Sequence, residues 1–346
     1  MPSNSDPHES GTIPAQRVSA TLHDVARVAG VAIVTVSRVL NHPDKVSEAT
    51  AKRVRSAIAQ TGYVPNLLAG ALVSQRSRLV IIVIPTLAHR AFVNTVNELA
   101  RCLEKARYQL LIYQSGYLMD DEATMIDSLL SRRPDGIVLT TPLKTKTARD
   151  RLTSRKIPVI ETWQLHHRPI DEQVGFSHEA VGTEMGAYMA AKGYRRVGML
   201  WSQDERAQLR GQACHDALEA AGVEVLQLIE MPVPVTVHFG REGLTRLLAS
   251  HRWMDAVICS IDILAQGVII EAQRRGLRIP QDLAVMGFGD LEFAADLYPA
   301  LTTVRVDAKH IGKLTAELLL ARFAEQGTGT RQSIDIGFKI VEREST

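Results

Sequence analysis

Short apolar runs rich in β-branched residues alternate with longer stretches of helical period over residues 79–288, and few folds accommodate that order. LVIIVIP at 79–85, YQLLIY at 108–113 and GIVLT at 136–140 are followed by a further strand at 157–161, and residues 91–107 and 123–132 between them are amphipathic. A second set repeats the scheme with RVGMLW at 196–201, a helix running through Ala217, AVICS at 256–260, a helix over 264–274 and LAVMGF at 283–288. Strands that alternate with helices build parallel sheets covered by helices on both faces. The expected α/β core is therefore two doubly wound parallel sheets side by side. Open sheets of this kind take ligands outside the carboxyl ends of their strands, so two facing sheets create a cleft there.

The residues ahead of this core follow a different pattern. Residues 21–41 read TLHDVARVAGVAIVTVSRVLN. The Thr21 hydroxyl can accept from a backbone N–H in the first turn of a helix, and Asp24 can reach back in a capping box. Leu22, Val25, Ala26 and Ala29 form one apolar face at helical spacing, and Gly30 supplies the left-handed residue that lets a second helix cross the first. Val36, Val39 and Leu40 are the buried stripe of that second helix. Ile33, Val34, Thr35, Ser37 and Arg38 lie on its other side, where a recognition helix reaches base edges in a major groove. A third helix follows, capped by Ser47 and buried through Val54, Ala57 and Ile58. The pattern predicts an all-α helix-turn-helix domain.

Positive charge is concentrated in the same place. Residues 17–80 hold nine Lys or Arg against three acidic side chains, while the whole chain nets +2 and the part after residue 80 is slightly acidic. A local excess of this kind neutralises phosphates and releases counterions, although a charge run alone is usually a solvated face. At 346 residues and 45% hydrophobic the chain can build two or three packed units. No run approaches the roughly 20 apolar residues of a membrane span. The opening MPSNSDPHESGTIPAQR is polar and lacks the basic and apolar regions of a signal peptide, so a disordered arm at 1–18 and a cytoplasmic location are expected. Cys102, Cys214 and Cys259 are odd in number and far apart, which favours burial over disulfide, zinc or nucleophile roles.

GYVPNLLAGALVSQRS at 62–77 closely resembles the hinge of the LacI family of bacterial repressors. The resemblance covers almost the whole chain through three signatures in the right order: V-T-V-S-R at 34–38, Y-x-P-N at 63–66 and P-x-L-T-T-V at 299–304. It implies a helix-turn-helix domain at 19–65, a hinge at 66–77 and a periplasmic-binding-protein-like core at 78–346. Family architecture further implies crossings between two subdomains near Phe176, Asp307 and Gly337, giving an N-subdomain of about 78–176 and 308–336 and a C-subdomain of about 177–307 and 337–346. Thr21, Asn41, Tyr63, Asn66, Ala69 and Leu72 join the recognition-helix residues as candidate DNA contacts. On this resemblance residues 69–74 form a hinge helix when a dimer is on DNA, and Leu72 wedges into the minor groove at the centre of a palindrome. An apolar wedge there unstacks a base step and kinks the duplex. Outside that motif Leu72 would be an ordinary core leucine.

The recognition helix departs from the family at its start. Ala32 stands where many members carry Ser or Thr, so a backbone N–H goes without that cap. Ile33 and Val34 are apolar, and such side chains can contact thymine methyls but cannot make bidentate hydrogen bonds. Arg38 is then the best candidate for a guanine or phosphate contact.

In the core the candidate effector contacts follow strands. Arg210 matches the family position R-x-x-G-[FYW], an arginine that commonly grips an effector, with Ala213 and Cys214 replacing the usual Gly and aromatic. Arg206 lies four residues earlier on the same helix face. Trp163 and Phe92 match aromatic positions that line the cleft in relatives. Asp262 and Asp290 complete the set, although Ile261 stands where Asn commonly precedes the former, and Gly289 stands where the family has a sugar-binding Asp. The alternatives are a core role for each aromatic and a surface salt bridge for each arginine. Two arginines kept and one carboxylate lost favour an anionic effector, because planar guanidiniums pair bidentately with carboxylates or phosphates. DER at 204–206, residues 318–322 and IDIGF at 334–338 are most similar to the gluconate-utilisation subgroup. That similarity implies a sugar acid, gluconate ahead of 2-ketogluconate.

The resemblance thus implies a homodimer on a palindromic operator, released when effector closure of the cleft shifts the amino-terminal subdomains. Some relatives use a corepressor, which leaves the sign open. No leucine heptad follows Phe338, against a tail-mediated tetramer. An enzyme is disfavoured: there is no G-x-x-x-x-G-K-[ST] and no G-x-S-x-G, and Gly287-Phe288-Gly289 lacks the third glycine of a dinucleotide loop. His166 and His167 lack a spaced third metal ligand, and no cofactor is expected. A sugar-binding receptor of this fold would need an export signal. Leu72→Ala is expected to weaken operator binding much more than binding to random DNA; equal losses in anisotropy titrations on the two duplexes would remove the wedge role from Leu72.

Overall fold

The computed structural model describes residues 20–64, 76–87, 90–117, 121–251, 253–324 and 331–346, and the chain divides into two compact units at residues 75 and 76. The arm at 1–18 and the hinge candidates Asn66, Ala69 and Leu72 lie outside the described residues.

In the first unit, α1 (Leu22–Ala29) begins in the capping box expected of Thr21 and Asp24: the Asp24 carboxylate accepts the Thr21 backbone N–H at 3.0 Å. Gly30 adopts φ 62°, a conformation open to residues without a Cβ, and α2 (Ile33–Asn41) starts three residues later. Ala32 offers α2 no side-chain cap. α3 (Glu48–Thr61) closes the unit over Val25, Val36 and Val54, all fully buried. Ser47 corrects an expectation. It occupies the N-cap position, but its hydroxyl pairs with that of Thr50 at 3.0 Å and not with a backbone N–H, a local side-chain contact competing with the cap.

The second unit runs β1 (Leu79–Ile84), α4 (Arg90–Lys105), β2 (Gln109–Gln114), α5 (Glu122–Leu130), β3 (Gly136–Leu139), α6 (Lys146–Ser154), β4 (Val159–Thr162) and β5 (Glu172–Gly175). It continues through α7 (His178–Ala191), β6 (Arg196–Ser202), α8 (Glu205–Ala220), β7 (Glu224–Met231), α9 (Val237–Ser250), β8 (Ala256–Cys259), α10 (Asp262–Arg274) and β9 (Ala284–Met286). β10 (Thr303–Arg305), α11 (Ala308–Ala324), β11 (Ser333–Asp335) and β12 (Lys339–Val341) complete it. One sheet has the order β11-β5-β4-β3-β1-β2, the other β7-β6-β8-β9, and all their pairings are parallel. β10 and β12 form an antiparallel pair joined to the second sheet by the Met286–Thr302 bridge. The chain passes between the two halves after Gly175, after Arg305 and after Asp335.

The layering follows from strand alternation. Val80, Ile82 and Ile84 of β1 pack with Leu99 and Leu103 of α4 and Leu319 of α11, while Ile81 and Val83 pack with Met125, Ile126 and Leu152 from α5 and α6. Burial on both faces is why these strands read as continuous apolar runs. α7 and α8 lie close together because Gly182 permits it: a Cβ there would stand 2.1 Å from the Arg210 carbonyl oxygen. That approach holds Arg210 beside His178, the first residue of α7. Both sheets reverse strand order beside their first strand, between β1 and β3 and between β6 and β8, where open sheets form a crevice. No described helix is long and apolar enough to cross a membrane.

Candidate functional site

A cavity of about 60 Å³ lies at the carboxyl ends of both sheets. Phe92 near the start of α4, Tyr117 after β2 and Trp163 after β4 form one side. His178 at the start of α7, with Ser202, Asp204, Arg206, Arg210, Ser260 and Phe288 from the segments that leave β6, β8 and β9, forms the other. Phe92, Trp163, Arg206 and Arg210 are thus brought together as the sequence suggested.

Both arginines are buried, at 9% and 5% exposure, so neither is a surface salt-bridge residue, and neither forms an ion pair among the described residues. Arg206 donates to the Thr140 carbonyl at 2.8 Å, tying α8 to the end of β3, and its guanidinium lies 5.0 Å from the centre of the Phe92 ring. Arg210 donates to the Ser260 carbonyl at 3.0 Å and to the Arg206 carbonyl at 3.3 Å, and lies 3.9 Å above the Phe288 ring. Its Nε–H has no partner. Burial pushes the Arg210 guanidinium down to about 10, which leaves it charged at neutral pH. Asp204 caps α8, accepting the Ala207 N–H at 3.0 Å and the Ser202 hydroxyl at 2.7 Å. Burial opposes its ionisation, but Arg206 and Arg210 outweigh that and hold the carboxyl below its ordinary range.

His178 was not anticipated, although its place directly after a strand was a usable signal. It is 2% exposed, between the rings of Phe176 and Phe288, and Arg210 lies 2.9 Å from its Nδ1. A guanidinium can only donate, so Nδ1 must accept and the ring proton sits on Nε2. Burial, and next the charge of Arg210, keep the imidazole well below its usual pKa and hence neutral. Nε2–H makes no hydrogen bond of good geometry, its one contact being a weak one to the Trp163 backbone carbonyl. Trp163 Nε1–H, on a residue 5% exposed, has no partner. Trp163 also has φ 74°, a conformation costly for a bulky side chain by about 1–3 kcal/mol and concentrated at ligand sites.

Asp262 and Asp290 do not line this cavity. Asp262 is fully buried behind it, accepting the Thr303 hydroxyl at 2.5 Å and the Leu291 N–H at 2.7 Å, so it clamps the loops after β8 and β9. Asp290 is turned to Arg305 and to Arg343, the latter at 2.7 Å. Position after a strand was correct for both; spacing could not show which way the carboxylate turns. Cys214 and Cys259 are buried and Cys102 half-buried, all as free thiols.

In the first unit, Val34 is 58% and Ile33 38% exposed. Thr21 and Arg38 are also exposed, and Thr35 and Ser37 are half-buried on the same helix. Tyr63 packs partly buried against the three-helix core, and the Asn41 backbone ends α2.

Residues 21–66 match the family model described as bacterial regulatory proteins, lacI family, and residues 187–346 match the periplasmic binding protein-like domain. The HTH-type transcriptional regulator GntR of Pseudomonas aeruginosa is 36% identical over 94% of this chain and 95% of its own length. A LacI family transcriptional regulator from Silicibacter pomeroyi, 31% identical, superposes with a TM-score of 0.86 over 94% of this chain and 99% of its own. The transcription regulator GntR from Chromobacterium violaceum, 32% identical, covers 77% of this chain and 98% of its own at a TM-score of 0.72. A DNA-reading helical domain joined to a two-sheet ligand-binding core defines a ligand-responsive transcriptional regulator. The chain belongs to the LacI family, and is a DNA-binding transcriptional repressor and not an enzyme.

Asp262 should leave a pH signature. Burial pushes its carboxyl up to about 7 from 3.8, against the Thr303 and Leu291 hydrogen bonds. Between these values the folded state holds a proton that the unfolded chain has released. Its contribution is therefore complete below about pH 4 and is lost as pH rises to 7, with a slope of up to about 1.4 kcal/mol per unit. Urea unfolding of the protein and of Asp262→Asn from pH 4 to 8 should show the first losing stability relative to the second; parallel curves would mean that the carboxyl ionises as in water.

Proposed function

We propose that this repressor acts in the cytoplasm as a homodimer on a palindromic operator of sugar-acid catabolism genes and is released by a small anionic sugar acid, gluconate or 2-ketogluconate, bound between the halves of its core. The observation that carries the effector class is the pair of buried guanidiniums without ion pairs, Arg206 and Arg210. A buried charge left uncompensated is costly, and an incoming carboxylate supplies the missing counter-charge through planar, charge-assisted hydrogen bonds. Asp204 offsets one of the two positive charges and His178 is neutral, so a single carboxylate balances the site and a phosphorylated acid overshoots it. The Ser202 and Ser260 hydroxyls and the Phe92 and Trp163 rings suit the polyol remainder.

Release follows from preferential binding to the closed core, whose movement separates the two hinges, with Leu72 withdrawn from the minor groove. Couplings of this kind are typically about 1–3 kcal/mol. The domain limits expected from the sequence, with a hinge at 66–77, serve this mechanism. Ile33, Val34, Thr35, Ser37 and Arg38 would face the major groove, with Thr21, Asn41, Tyr63, Asn66 and Ala69 on the backbone or its approaches.

Thermal melting against gluconate, 2-ketogluconate, 6-phosphogluconate, glucose and ribose tests the effector class, since a ligand at about 100 times its dissociation constant adds roughly 2.7 kcal/mol to the folded state. A shift with one of the two simple acids is expected, and its loss in Arg210→Ala together with the operator response. Shifts with neutral sugars alone, or with none of the five, would overturn the assignment.

A further inference from the structure

Three N–H groups on residues that line the cavity make no hydrogen bond of good geometry: Arg210 Nε–H, Trp163 Nε1–H and His178 Nε2–H, each on a residue at least nine-tenths buried. The His178 donor differs from the others because its existence depends on a neighbour. Arg210 donates to Nδ1 at 2.9 Å, which forces the proton onto the far nitrogen, one imidazole width from the guanidinium, where only a weak contact to the Trp163 backbone carbonyl engages it. The ring has little freedom to turn away, held between Phe176, at a centroid distance of 4.6 Å, and Phe288, at 6.5 Å. Gly182 on the same helix fixes the distance to α8.

Resting on the anionic-effector reading, we propose that His178 is a specificity-determining effector contact: its Nε2–H donates to an acceptor oxygen adjacent to the carboxylate that Arg210 holds, so the site selects acids with an oxygen substituent beside the carboxylate and rejects those with an ammonium there. A 2-hydroxyl or 2-keto oxygen accepts from this N–H. An ammonium group brings only donors, and its hydrogens would face the Trp163 and His178 N–H groups and two guanidiniums. An uncompensated like-charge contact inside a buried site weakens binding far more than a missing hydrogen bond does.

Two substitutions separate the functions of the two ring nitrogens. His178→Asn keeps an acceptor near the Nδ1 position for Arg210 and removes the cavity donor. His178→Gln carries its amide N–H to the Nε2 position. Calorimetric titration of the full-length protein with gluconate and with 2-ketogluconate should show affinity lowered about tenfold or more in His178→Asn and largely recovered in His178→Gln, the range expected for a lost hydrogen bond to a charged or polar ligand oxygen. Titration of the unsubstituted protein with 2-amino-2-deoxygluconate should show binding at least about a hundredfold weaker than that of gluconate. Equal affinity of both variants and the parent, a Gln variant no better than Asn, or undiminished binding of the amino acid analogue would each overturn the role of His178 while leaving the anionic effector standing. A parent protein that binds neither acid would overturn the effector assignment, and this inference with it.

Discussion

A guanidinium buried without an ion-pair contact is the constraint around which the core is arranged. Removing such a group from water costs several kcal/mol unless each donor finds a partner. Arg210 meets that demand for all but its Nε–H by gathering groups from four segments: its own helix through the Arg206 carbonyl, the end of β8 through Ser260, the start of α7 through His178, and the Phe288 ring after β9. None of the three hydrogen-bond partners is charged, so none neutralises the site. The charge is accommodated and still available. The glycine at 182 belongs to the same requirement, because a side chain there would push α7 off the Arg210 backbone and break the His178 contact.

Conformational preference follows from the same group. Among the described residues, contacts that tie the halves at the cavity edge include Arg206 to the Thr140 carbonyl and to the Phe92 ring, both buried, and Lys144 to Glu205 at 3.0 Å, whose side chains are 67% and 49% exposed. An ion pair as exposed as the last is worth little. On the proposed reading, the free energy that favours the closed form therefore comes mainly from a ligand reaching both halves, with Arg210 and Ser260 on one side and Trp163 on the other. Trp163 contributes in a second way: its left-handed backbone is a strain retained where its indole meets the cavity and not relaxed into an ordinary turn. A ligand that accepts from Nε1–H recovers part of that cost only when it is bound.

Much of this was legible in the chain. The capping box at Thr21 and Asp24 and the left-handed Gly30 depend on neighbours three to six residues apart, and local chemistry decides them. The β1 and β8 runs announce a parallel sheet because burial on both faces imposes the same composition at every position. Arg206 and Arg210 were legible as a pair through helical spacing. What escaped were properties set by tertiary contacts. His178 looks like any histidine at a helix start until Arg210 fixes its tautomer from 32 residues away. Asp262 and Asp290 follow strands as ligand groups do, but Thr303 and Leu291 in one case and Arg305 and Arg343 in the other turn their carboxylates aside. Ser47 was misjudged over a shorter distance, since Thr50 offers its hydroxyl a competing partner.

The exposed face of α2 poses a physical problem that the core does not. Val34 and Ile33 keep much of their surface in water, while Val36 and Val39 of the same helix are buried, so the exposed pair adds nothing to the three-helix core. Apolar surface of this kind is retained where a partner covers it. In a major groove an apolar partner is the thymine methyl, and on the proposed reading its burial against Val34 would discriminate thymine from cytosine without a hydrogen bond. The positive charge around it acts differently. Lys and Arg on this unit neutralise phosphates whatever the sequence, and their contribution falls with salt. On the proposed reading charge would hold the domain on DNA, the apolar start of α2 would read thymine, and Arg38, exposed one turn further on, would be the side chain of that helix best suited to a guanine.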